Sequence, residues 1–169
     1  MGRIESFLLE YEQITKNVRI TLERIPYDKF DWSPHEKSFS MGHLASHLVN
    51  LQTWLPLTLT TNEFDMHPKE GEEFVPPIAK NKSELLDMFD KNSQDAKKSL
   101  EDSNEDILKD NWSLLSGGNI LFTMPKVAVV RSFVLNHTIH HNAQLGVYLR
   151  LNDIAVPAIF GPSADENIM

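Results

Sequence analysis

Four segments of this 169-residue chain place apolar residues three and four apart, and that spacing constrains the fold more than anything else in it. In the first, from about Arg3 to Ile25, the stripe is Ile4, Phe7, Leu8, Tyr11, Ile14, Val18, Leu22 and Ile25. Residues so spaced share one face of an α-helix, and that face must be covered by other elements. Pro26 has no amide donor and stops the helix. The second segment runs from Met41 to Leu55, with Leu44, Leu48, Leu51 and Leu55 as its stripe and Ser38 or Ser40 as its cap. Pro56 removes the donor to Gln52, so the helix kinks or ends there, with Leu57 and Leu59 allowing one more turn. The third starts at Asn81 or Ser83 ahead of Glu84, carries Leu85, Leu86, Phe89, Ala96 and Leu100, and ends near Asp102. The fourth opens at Thr123-Met124-Pro125 and runs to about Leu151, with Val127, Val130, Val134, Ile139 and Leu145 for burial.

No convincing strand alternation appears, so the expected fold is all-α: a four-helix bundle with long connectors, forming one domain over 1–169. The connectors are 26–39, 62–80 and 103–124. The second holds three prolines and a run of acids and reads as irregular; His67, inside it, reads as a surface residue without a partner. In the third, Trp112, Leu114, Leu115, Ile120 and Phe122 surround Gly117-Gly118, which fits a short hairpin or a loop folded over the core. The tail from Asn152 is too apolar around Val156, Ile159 and Phe160 to stand free in water, so it is expected to fold back on the helices.

The chemistry available is narrow. There are no cysteines, which excludes disulfides, thiolate metal sites and a cysteine nucleophile. A formal charge of −8 lacks the basic surface that phosphate contacts need, so nucleic acid is not an expected partner. No apolar run reaches the roughly 18–20 residues of a membrane span, and no secretory leader is evident at Met1 to Tyr11. The expected location is the cytoplasm. There is no phosphate loop, no Gly-x-Ser-x-Gly and no dinucleotide fingerprint.

Histidines stand out against this background. Three of the seven lie in Asn136-His137-Thr138-Ile139-His140-His141-Asn142-Ala143-Gln144. His137 and His141 are four apart, so on a helix their imidazoles point to one place. His140 lies roughly 60° from His137 around the axis and borders that place. Metal sites in bundles draw on facing helices, which makes His47 the natural third ligand. His43 and His47 are also four apart, so His43 competes for inclusion. A hydrogen-bonded core histidine is the plain alternative for each. Three neutral imidazoles suit a divalent transition ion such as Zn, Ni, Fe or Co rather than Mg or Ca. Asn50 and Gln144, one turn from ligands, are candidates to orient them or a substrate.

Trp32-Ser33-Pro34 with Ser40-Met41-Gly42-His43-Leu44-Ala45-Ser46-His47-Leu48 resembles the second-helix motif of the DinB/YfiT-like metalloprotein superfamily. The stretch Asn136 to Leu145, followed by Val156-Pro157 and Gly161-Pro162-Ser163, is similar to its fourth-helix and tail motif. The resemblance implies a four-helix bundle, often a homodimer, with a three-histidine divalent metal site. Carried over by position, the ligands are His47, His137 and His141. His43 falls where the family usually has no ligand, and His140 matches a frequent non-ligand histidine. At Asn142-Ala143 the family often has Arg-Gly, so a contact of that arginine with an anion is in question here.

Some members of that family are thiol-dependent S-transferases or isomerases, and many have no known reaction. Two expectations follow. One is a metal-dependent enzyme, a low-molecular-weight-thiol S-transferase acting on an electrophilic small molecule, with a metal-dependent hydrolase as its nearest variant. The other is a non-catalytic, metal-stapled bundle acting as a binding or stress-response protein. Three protein ligands facing a cleft favour catalysis; a closed site with His43 as fourth ligand favours the staple.

Overall fold

The computed structural model describes residues 2–167. Its longest helices are α1 (Arg3–Glu23), α2 (Met41–Asn50), α4 (Lys82–Glu101) and α6 (His137–Leu151), with the shorter α3 (Trp54–Thr60) and α5 (Lys126–Val129) between them. Both α1 and α2 pack against α4 and α6. The α1 stripe is buried as its spacing requires, at Ile4, Phe7, Tyr11, Ile14, Val18 and Leu22. Arg19 reaches Asp90, and Glu12, seven residues earlier, meets Lys97, seven later, so α1 and α4 run antiparallel. These ion pairs are exposed and contribute little; the shared apolar core holds the helices together.

Capping follows the sequence. Ser40 accepts from the His43 amide at the start of α2, and Asn81 accepts from the Glu84 amide at the start of α4. Gly42 is required by close approach: a Cβ there would sit 2.5 Å from the Phe30 ring, and the Gly42 amide donates to the Phe30 carbonyl. After α2 the break comes before the proline, as a 3-10 turn over Leu51–Thr53. Pro56 then lies in the first turn of α3, where the missing donor costs nothing.

The expectation of a purely all-α chain is corrected. Three strands, β1 (Glu63–Asp65), β2 (Asn111–Ser116) and β3 (Asn119–Pro125), form one sheet in that order. β1 is parallel to β2, and β2 and β3 are a hairpin. Its two-residue turn is Gly117-Gly118, with φ of 60° and 78°, the left-handed pair that matches strand twist. The Asp65 carboxylate accepts from both turn amides and from His67, tying β1 to the hairpin. Trp112 and Leu114 bury one face of β2 against Val129, with Trp54, Leu57, Phe122 and Phe133 around them.

The fourth helical segment also differs from expectation. Thr123 and Met124 belong to β3, and α5 begins at Lys126. Residues Val130–Asn136 are then π-helical up to α6. Val129 and Val134 are fully buried, as are Val130 and Leu135 to within 1%. Each pair is five apart, the spacing of an i→i+5 turn. The tail folds back as expected: Asp165 bridges Arg150 and accepts from the Val156 amide, and Glu166 meets Arg24.

Candidate metal centre

His47 comes from the last turn of α2, and His137 and His141 from the first turns of α6. The three are half-buried, and one ring nitrogen of each lies within 4.8 Å of the others. Ring centroids of His47 stand 5.3 Å from His137 and 4.7 Å from His141. The Nε2 atoms of His137 and His141 are 2.8 Å apart. Buried Gln52 steadies the helix pair here, donating to the Leu48 carbonyl and to the Thr138 hydroxyl next to His137.

The partner of the His141 ring assigns its tautomer. Gln144 Oε1 lies 2.7 Å from His141 Nδ1, so Nδ1 carries the hydrogen and Nε2 keeps its lone pair. His137 turns its Nε2 toward His141. At 2.8 Å these two Nε2 atoms either share one hydrogen or turn both lone pairs to one point, and in the second form they would hold a cation. Burial, reinforced by the neighbouring rings, pushes His47 down to about 4. His137 and His141 are also lowered, burial being the first cause for both. The trio is therefore neutral near pH 7, the form a metal ion requires. The donor set fits a divalent transition ion.

The other sequence candidates separate cleanly. His43 stacks on Phe39, centroids 4.0 Å apart, and does not join the three converging nitrogens. His140 is exposed, with its ring 4.9 Å from that of His141. Gln144 takes the orienting role expected of it. Asn50 does not reach a ligand; its amide donates to the Pro77 carbonyl and ties down the 62–80 connector. Asn142 is buried at 3% exposure and turned away from the trio, lining a separate cleft with Thr21 and Val156.

His67 is exposed as expected, but it has a partner: Nδ1 lies 2.7 Å from Glu73 Oε1. It also lines a cleft of about 280 Å³ that opens on His47, walled by Trp54, Leu51, Met66, Phe74 and Pro76. A smaller pocket continues past His43 and Ser46 beneath Val75 and Ile78. Sequence spacing contained no signal for this wall, because its residues come from an irregular loop and a helix far apart in the chain.

A family model described as the DinB family matches residues 1–166. Among solved structures, a DinB-like protein from Bacillus cereus is similar with a TM-score of 0.69 and 20% identity, over 92% of this chain and 96% of that one. A DinB-like protein from Bacillus subtilis gives a TM-score of 0.67 and 17% identity, over 90% of this chain and 96% of that one. At these identities the likeness is one of fold. No curated protein matches the chain.

Proposed function

The chain belongs to the DinB family, and from that premise we propose that it binds a divalent transition metal, as a cytoplasmic four-helix-bundle enzyme that transfers a low-molecular-weight thiol to an electrophile. The observation carrying this is the convergence of His47, His137 and His141 beside a cleft, with no fourth His, Cys, Asp or Glu joining them among the described residues. Three ligands with an open side suit catalysis; a structural site closes with four. His43, the one candidate for a fourth ligand, is occupied in stacking on Phe39. The ion is Zn, Ni or Fe, and the expected assembly is a homodimer. When bound, it supplies positive charge that lowers the pKa of a thiol or water at the open position.

The chain's own residues supply the rest. Gln144 holds the His141 imidazole in the tautomer that leaves its Nε2 lone pair free for a metal. Trp54, Met66 and Phe74 keep water from one side of the site.

Metal analysis of the full chain purified without a His-tag tests this reading. Wild type is expected to hold a stoichiometric divalent ion, and His141→Ala to lose it. A wild type free of metal after incubation with Zn or Ni overturns the proposal. Metal-dependent consumption of a small thiol with a model electrophile then separates the transferase from the metal staple. Metal-dependent ester hydrolysis without thiol would point to the hydrolase.

A further inference from the structure

The cleft beside His47 has a more specific chemistry than the metal centre requires. Its wall is mostly apolar and aromatic, with Leu51, Trp54, Met66, Phe74 and Pro76, and its polar members are His47, Asn50 and His67. Trp54 and Phe74 each meet Phe64 edge-on, at centroid distances of 6.0 and 5.3 Å. Phe74 is nonetheless 38% exposed, so its ring has a free side. The volume of about 280 Å³ equals roughly nine waters in the liquid, room for a single substituted benzene ring.

The wall is built. Its irregular half, the 66–79 strap, is anchored to the same turn of α2 that carries His47. Asn50 donates to the Pro77 carbonyl at 2.7 Å, and Ser46 accepts from the Ala79 amide at 3.0 Å. The loop between Met66 and Phe74 is closed at its neck by the Phe74 amide on the Met66 carbonyl and by the His67–Glu73 pair. That loop carries Glu70, Glu72 and Glu73 against Lys69 alone, and all four are exposed. Three glutamates less one lysine leave this loop at a formal −2, histidine counted neutral, between the cleft residues His67 and Phe74.

We propose that this cleft is the site for the electrophilic partner, and that it selects a neutral or cationic aromatic group over an anionic one. This rests on the metal-centred reading for its place in a reaction but not for its binding chemistry. A flat apolar ring gains by leaving water for the Trp54–Phe74 wall, and the acidic loop repels a carboxylate at its mouth.

Three near-isosteric probes test it: benzyl alcohol, benzylamine and benzoate, titrated into the full chain both metal-loaded and metal-free. The readout is the Trp54 indole resonance, assigned with Trp54→Phe. Benzyl alcohol and benzylamine are expected to shift it in both forms. In the metal-free form benzoate is expected to bind about three-fold or more weakly than benzylamine at low salt. Glu70→Gln with Glu72→Gln is expected to narrow that gap without changing metal content. Phe74→Glu is expected to weaken benzyl alcohol several-fold, again with metal content unchanged. Absence of any Trp54 shift with benzyl alcohol overturns the site, and benzoate binding as well as benzylamine overturns the charge selection. Metal content, measured on the same samples, reports separately on the centre itself.

Discussion

Gln144 supports the proposed metal centre without being one of its three converging histidines. Its Oε1 fixes the His141 tautomer at 2.7 Å. Replacing it with Ala frees the imidazole to swap its proton, and metal affinity is expected to fall about 10–100-fold by competition with a chelator, with the fold intact by circular dichroism. The sign of the pH dependence follows from His47. Burial holds it near 4 in the folded chain against an ordinary value near 6.5. Between those values the unfolded chain binds the proton and the folded chain does not. Stability of the metal-free protein is therefore full above pH 6.5 and declines as pH falls toward 4. Urea unfolding across that window is expected to show this slope, and His47→Gln to flatten it. At this scale the His137–His141 pair was legible because four-residue spacing on a helix is local geometry, while His47 had to come from the facing helix and the family resemblance. Asn50 was misread because its partner, Pro77, lies in a loop with no period to read.

At the scale of elements, the helices were legible and the sheet was not. A helix repeats its apolar signal over several turns, as α1 does from Ile4 to Leu22. β2 has only Trp112 and Leu114 turned inward, β3 is exposed at most positions, and β1 is three residues long. Gly117-Gly118 was the one clear sign of a hairpin, and the strands on either side were too short to argue for it. Both glycines have positive φ, so Gly118→Val is expected to destabilise by about 1–2 kcal/mol in thermal unfolding. Trp112→Ala empties a fully buried position and is expected to cost about 3–5 kcal/mol. The π segment was hidden for a different reason. Val130 and Val134 fit an α-helical stripe as well, and only the five-residue pairs Val129/Val134 and Val130/Leu135 reveal the wider turn. It ends where His137 begins, the kind of position at which such turns are often found.

For the molecule as a whole, the three converging histidines join α2 to α6, two helices that already pack together. Binding an ion to the folded chain alone adds stability by mass action. At about 100 times the dissociation constant the gain is about 2.7 kcal/mol. For a chain of this size that corresponds to an increase of about 5–10 °C in Tm, to be seen on adding Zn or Ni and expected to vanish in His141→Ala. Among the described residues no helix is long and apolar enough to cross a membrane. The general layout was accessible from sequence because amphipathic helices must pair their stripes. The cleft was not, because its walls meet only once the 62–80 segment has crossed over α2.

The anchoring of that segment divides the protein into a part that resists change and a part that tolerates it. The ligands and their supports sit on helices whose spacing leaves no latitude. The strap touches α2 through two hydrogen bonds, from Asn50 and to Ser46, and is otherwise loop. Loops accept insertions and substitutions at little thermodynamic cost. Under the proposed function, a lineage could therefore exchange one electrophile for another by rewriting residues 66 to 78 while the three histidines stayed as they are. Under that reading, directed evolution has its natural library in the stretch leading to the anchors at Pro77 and Ala79, whose α2 partners Asn50 and Ser46 lie about 6 Å of helix apart.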